Sequence, residues 1–214
     1  MPAAAGGVVG RRHAITSPRI AIVANIPKVA NTSTGGEMPR ITVPVDKDPL
    51  AYVWTELAVP LTAAAAAYSS AVYESSSLSL REFEAARITL ARVNECALCT
   101  DWRTARDVPG KAADPGEVPE EFYDNVGRNP GWSGFDERER LAAEFAERYA
   151  VAHLGMDADL WARLHAHFTD DELVDLGLCV ASWLGLGRFN QVFDIDGGCR
   201  VPGAPMVVPV PAHT

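Results

Sequence analysis

The chain has 214 residues, nearly half of them apolar and 22% charged, which suits one globular domain with tails and excludes a disordered or fibrous protein. Its 19 basic and 28 acidic side chains give a net charge of −9. No local basic run offsets that charge, so a nucleic-acid backbone is not an expected partner.

Residues 1–40 are rich in Gly, Ala, Ser and Thr, lack helical periodicity and read as a flexible extension. Within them Arg11-Arg12 precedes the apolar patch Ile20–Ala24. That patch is shorter than the roughly 7–15 residues of an export signal core, so a cytoplasmic protein is expected. Residues 41–49 are extended and punctuated by Pro44 and Pro49. Asp48-Pro49 is an N-cap followed by a first-turn proline; it opens a helix expected to run to about Tyr73 with a kink near Pro60. Its Ala63–Ala67 run is closed off by Ser69, Ser70 and Glu74. No stretch of the chain reaches the ~20 uncharged apolar residues of a membrane span, and no membrane contact is expected.

Leu80–Val93 shows a mostly helical period, with Phe83, Ala86, Ile88, Leu90 and Val93 set against Arg81, Glu82, Arg87 and Arg92. Residues 107–135 form a breaker-rich connection interrupted by a short helix around 119–125. Two capping-box patterns, Asp136 to Glu139 and Thr169 to Glu172, open further helices. The first places Leu141, Phe145 and Tyr149 on one face. Between them Asp157–Phe168 turns Leu160, Trp161, Leu164 and Phe168 inward. The second leads into Leu173–Phe193, the most apolar helix, read as central in the core or at a subunit contact. Gly197-Gly198 ends it, and the tail 197–214 is proline-rich. The fold class is therefore all-α with six or more helices, a helical domain over 41–196, and flanking segments at 1–40 and 197–214.

Of four cysteines, only Cys96 and Cys99 are close in sequence. If the preceding helix breaks near Asn94-Glu95, with Asn94 as the next N-cap, the pair falls in the first turn of a helix running to about Arg106. There the helix dipole favours a thiolate, and by itself favours Cys96 as the nucleophile because it lies nearer the helix start. The spacing of three puts both sulfurs on one helical face, with Cα atoms expected within the 4.4–6.8 Å that a disulfide needs. Arg103 and Arg106 add positive charge one and two turns on. Two readings compete with redox work: a pair of buried inert cysteines, and a zinc site, which would want a second such pair that the chain lacks. Glu84, Glu82 and Glu95 are acids of the right type nearby, any of which could be a solvated surface carboxylate. His165 and His167 are two apart on a helix and cannot chelate one metal together; His153 and His165 read as surface residues. Cys179, Trp102 and Trp183 read as core, Cys199 as a bystander thiol, and Arg188 as a charge that either pairs across a subunit contact or marks where its helix surfaces.

The stretch Arg81-Glu82-Phe83-Glu84 through Val93-Asn94-Glu95-Cys96-Ala97-Leu98-Cys99-Thr100-Asp101-Trp102-Arg103 resembles the alkylhydroperoxidase-D-like and carboxymuconolactone-decarboxylase-like (AhpD-like) superfamily. Phe168–Asn190 is similar to that superfamily's last core helix, and the likeness covers residues 50–195. The resemblance implies a thiol-dependent peroxidase-like oxidoreductase. In it Cys99 attacks a hydroperoxide, Cys96 resolves the product as a redox disulfide, and Glu84 helps remove the thiol proton. A dithiol or lipoyl-bearing protein would be the reductant. It also implies a homo-oligomer and no cofactor. The superfamily's relay histidine falls on Arg103, which supplies charge but cannot shuttle a proton near neutral pH. A non-redox helical oligomer that binds or transforms a small organic acid is the alternative. Lactone decarboxylation is a third reading, against which the Cys pair itself argues.

Overall fold

A computed structural model of the chain describes residues 39–108 and 117–195. Contacts divide the chain after Thr34, and every described residue belongs to the second unit, Gly35–Thr214. Among the described residues there are nine α-helices and no strand: α1 Pro49–Glu56, α2 Val59–Ser75, α3 Leu80–Val93, α4 Ala97–Asp101, α5 Thr104–Asp107, α6 Glu120–Asn125, α7 Glu137–Ala152, α8 Ala158–His167 and α9 Asp170–Phe193. A single 3-10 turn, His153–Gly155, joins α7 to the loop before α8. The all-α class is as the sequence predicts. Nearly all of the N-terminal extension, the C-terminal tail, Cys199 and Gly197-Gly198 lie outside the described residues.

Several boundaries differ from expectation. The helix predicted from Pro49 to Tyr73 is two helices meeting at 109°. The break falls at Leu57-Ala58, where Ala58 is left-handed (φ 45°). Pro60 then sits in the first turn of α2, where its missing N–H leaves no helical bond unmade. Thr62 Oγ1 donates to the Leu57 carbonyl at 3.0 Å and secures the corner. No single helix among the described residues is long and apolar enough to cross a membrane. Trp161, expected inward, is exposed on α8 and lies beside His165, because Leu160 and Leu164 already fill the inner face.

The centre of the fold is α3. Ten consecutive residues, Glu82 to Ala91, are buried. It packs most extensively on α7, then on α9, and also meets α4 and α5. Four of its charges, Arg81, Glu82, Glu84 and Arg87, are held in ion pairs. Arg138 of α7 reaches Glu82 and also bonds Glu172 at 2.7 Å. Arg81 pairs with Glu139, donates to the Gly134 carbonyl at 2.7 Å and lies over the Phe122 ring. Glu84 is met by Arg87. α9, the more apolar helix, buries Leu173, Leu176, Cys179, Val180 and Ser182 on one side. It leaves Val174, Leu178 and Val192 exposed, so α9 flanks the core and does not form its axis.

Both predicted capping boxes are made, at Asp136–Glu139 and Thr169–Glu172, and Ser79–Glu82 forms a third at the start of α3. Thr169→Ala should cost ~1 kcal/mol in urea unfolding. Hydrogen bonds from Arg138, then from the Thr169 backbone and side chain, hold the Glu172 carboxyl at a pKa of about 2. The unfolded side chain protonates near ~4.3. The stability Glu172 contributes is therefore complete above that pH and drains away as the pH falls toward 2. Glu172→Gln should flatten this acid limb in a series of denaturation curves.

Candidate functional site

The site begins where α3 stops. Its cap, Asn94, keeps helical angles (φ −81°, ψ −2°), and Glu95 then turns left-handed at φ 53°. The Glu95 N–H donates to the Arg92 carbonyl at 2.9 Å, and the Cys96 N–H reaches back to Ala91 O at 2.9 Å. These two bonds make the left-handed helix stop that ordinarily recruits glycine. Glu95 occupies it at a cost of roughly 1–2 kcal/mol. Asn94, expected to start the next helix, is thus the cap of the previous one. The missing glycine is why the sequence shows no stop signal there.

α9 secures this turn from outside. Arg188 Nε donates to Asn94 Oδ1 at 3.1 Å, and the Gln191 side chain donates to the Asn94 carbonyl. A Cβ at position 187 would come within 3.1 Å of Asn94 Nδ2, so Gly187 permits the close approach of α9. Arg188 therefore finds a partner within its own chain.

Cys96 immediately precedes α4. Its Sγ accepts the Cys99 N–H at 3.1 Å, the bond an N-cap side chain makes three residues on. Its carbonyl accepts the N–H and the hydroxyl of Thr100 at 3.0 and 2.9 Å. Cys96 and Cys99 are joined as a disulfide with a Cα separation of 5.3 Å, inside the predicted range. The two are unequally accessible: Cys96 is buried, at 5% exposure, and Cys99 is partly exposed. The helix predicted to reach Arg106 is broken after Asp101. Arg103 is extended there (φ −127°, ψ 116°), and its N–H donates to Asp107 Oδ2 at 2.8 Å, opening α5.

Behind the pair lies a buried ionic cluster. Glu84 is fully buried and Arg87 is 3% exposed. Arg87 Nε and Nη2 donate to the two Glu84 carboxylate oxygens at 2.9 and 2.6 Å. The Thr104 hydroxyl donates to the same carboxylate. The remaining guanidinium bonds run to the Cys-x-x-Cys segment: Nη1 to the Cys99 carbonyl at 2.8 Å and Nη2 to the Trp102 carbonyl at 2.6 Å. Burial alone would lower the Arg87 pKa, but the charge and hydrogen bonds of Glu84 outweigh it and raise the pKa. Burial, then the Glu84 charge and a hydrogen bond to it, raise the Tyr123 phenol well above its ordinary value.

Arg103 points its charge elsewhere. It pairs with Glu120 at 2.8 Å, stacks 3.8 Å over the Tyr123 ring and donates to the Thr100 carbonyl at 2.6 Å. That ion pair holds the exposed Glu120 carboxyl below its ordinary value. Arg106 pairs with Asp107. Of the rival acids, Glu82 caps α3 and binds Arg138, and Glu95 is exposed. His153, His165 and His167 are exposed. Trp183 packs against the core, and Trp102 is partly buried. Among the described residues no cluster of three or more His, Cys, Asp or Glu side chains could hold a metal ion.

The structure thus brings Glu84 and the carbonyls of Cys99 and Trp102 together at Arg87, a residue that the sequence leaves on the polar side of α3. The only hint was its place three residues after Glu84, where helical side chains meet. Thr104 and Tyr123 arrive from α5 and α6 with no sequence signal at all.

No family model matches the chain. Over 70 residues it is 39% identical to the uncharacterized protein YnjA of Escherichia coli (strain K12), a match that covers 32% of this chain and 38% of YnjA. A crystal structure from Agrobacterium tumefaciens superposes with a TM-score of 0.53 at 21% identity, covering 69% of this chain and 95% of the other. That protein is described as being of unknown function and as a candidate antioxidant defence protein AhpD. The likeness shows that the chain has the AhpD-like all-α fold, as the sequence resemblance implies.

Cys179 is buried on α9 with Sγ 3.3 Å from Asp175 Oδ1. Burial, aided by the Asp175 charge and only partly offset by Ser76, pushes its thiol up to about 12. In a variant whose other cysteines are serine, iodoacetamide at pH 8 should modify the folded protein at least ~100-fold more slowly than a free thiol. Unfolding in guanidinium should abolish that protection.

Proposed function

We propose that this protein is a dithiol–disulfide oxidoreductase that reduces hydroperoxides through Cys96 and Cys99. The observation that carries this reading is the pair itself: two sulfurs within bonding reach at a helix junction, one accessible and one sheltered, backed by a buried ionic cluster. The accessibility favours Cys99 as the attacking residue, in line with the sequence resemblance. Its thiolate attacks the terminal peroxide oxygen, the O–O bond breaks, and the alcohol leaves with a proton. The resulting Cys99 sulfenic acid is attacked by the Cys96 sulfur, water departs, and the disulfide closes. A dithiol or lipoyl-bearing protein then supplies two electrons and two protons to restore the thiols.

Glu84, the acid that the resemblance assigns to loss of the thiol proton, is held on both oxygens by Arg87 and by the Thr104 hydroxyl, and it acts on the pair through the charge it cancels on Arg87. Arg103 contributes charge without proton transfer. The setting is a reducing cytoplasm, where such a pair can cycle. Assembly is as a homo-oligomer, with the exposed Val174, Leu178 and Val192 of α9 covered by a second copy.

The decisive measurement is a thiol titration. Fully reduced protein, titrated after unfolding in guanidinium, should show four thiols, and one equivalent of hydroperoxide added before unfolding should remove two of them, with Cys99→Ser abolishing the loss. A count that stays at four would leave the pair structural and make a small-molecule-binding helical protein the better reading. Arg103→His should raise peroxide turnover and introduce a pH dependence near the histidine pKa of ~6.5.

A further inference from the structure

The Cys-x-x-Cys segment is tied to the core through one side chain. Arg87 holds the carbonyls of Cys99 and Trp102 at 2.8 and 2.6 Å, and with the same guanidinium grips both oxygens of Glu84. Arg103, at the relay position, spends its charge on Glu120. The fixed positive charge that contacts the backbone of Cys99 is therefore Arg87, and Glu84 neutralises it. The geometry points to Arg87 and Glu84 as a positioning unit that sets the Cys96–Cys99 dithiol–disulfide equilibrium, Arg87 favouring the thiolate at Cys99 and Glu84 opposing it. This rests on Cys96 and Cys99 being the working pair.

The physical reason is charge balance. Opening the disulfide adds two electrons to the S–S bond; one proton completes the Cys96 thiol and Cys99 is left as thiolate or thiol. With dithiothreitol as reductant, its two thiols lose those electrons and protons and close to a cyclic disulfide. A new anion at Cys99 appears in the residue whose carbonyl the buried Arg87 guanidinium holds, and that guanidinium is itself shielded from water. How strongly the guanidinium favours that anion depends on how much of its charge Glu84 cancels. The other groups facing Arg87 leave this balance to Glu84. Tyr73 from α2 and Tyr123 from α6 both carry raised pKa values and stay neutral. Asp107 of α5 is taken by Arg106 and by the Arg103 N–H. Thr104 is uncharged.

The two partners should therefore act in opposite directions. Equilibration of full-length Glu84→Gln with dithiothreitol at pH 7 should shift the pair toward the dithiol by at least ~10-fold, a rise of ~30 mV for this two-electron couple. Iodoacetamide should alkylate its reduced Cys99 faster than in the wild type. Arg87→Gln should shift the equilibrium by a similar factor toward the disulfide and slow alkylation. Arg87→Lys, which keeps the charge and loses the fork, should stay within ~3-fold of the wild type. If Arg87→Gln does not fold, Glu84→Gln and Arg87→Lys decide. Shifts of the two glutamine variants in the same direction, a Glu84→Gln shift below twofold, or an Arg87→Lys shift as large as that expected for Arg87→Gln would overturn the inference. A Glu84 that acts only as a base would slow peroxide reduction in Glu84→Gln without favouring the dithiol. Failure of the peroxidase reading is separately visible, as a wild-type protein whose disulfide equilibrates with dithiothreitol yet whose thiols survive hydroperoxide.

Discussion

Burying Glu84 with Arg87 removes two charges from water, a cost that only a complete set of partners can offset. The cluster supplies partners for both: a two-point ion pair, a threonine hydroxyl on the carboxylate, and two backbone carbonyls for two further guanidinium hydrogens. Those carbonyls belong to Cys99 and Trp102, where α4 gives way to the turn before α5. The same interaction that allows α3 to run through the core therefore fixes the segment that carries the cysteines. Replacing the pair with apolar residues would satisfy the core equally well but would leave the carbonyls of the Cys segment without donors.

A second constraint acts from the opposite side. The turn between α3 and α4 depends on a left-handed Glu95, which has no intrinsic preference for that conformation. α9 compensates by clamping Asn94 with Arg188 and Gln191 across the gap left by Gly187. The pair thus hangs between two anchors, Asn94 on one end and the Cys99 and Trp102 carbonyls on the other. Between these anchors Cys96 is sheltered with its sulfur capping α4, and Cys99 faces outward. Such asymmetry is what a two-step thiol reaction requires, since one sulfur must meet the substrate and the other must wait nearby.

The fold likeness and the site chemistry carry different weight. Superposition over 69% of the chain at 21% identity establishes the AhpD-like architecture and nothing about the reaction. In its residues the chain departs from the pattern it resembles: Arg103 stands in place of a proton relay and is bound to Glu120 and Tyr123. The buried charge that touches the Cys segment is on Arg87.

The all-α class, both predicted capping boxes and the Cys96–Cys99 spacing were legible in the sequence, because each is local. Caps, amphipathic period and a three-residue spacing are encoded within one or two turns of chain. The break at Ala58, the helix stop at Glu95 and the split between α4 and α5 were not, because alanine, glutamate and arginine carry no turn signature and take up those angles only under tertiary constraint. The roles of Arg87, Thr104, Tyr123 and Arg188 were hidden for the same reason. A charged residue on a helix is indistinguishable in sequence from a solvated one until the packing of α3 against α4, α5, α7 and α9 removes water from around it. Burial of charge is a property of the assembled fold, so only the tertiary structure decided that the charge contacting the Cys segment from the core is Arg87.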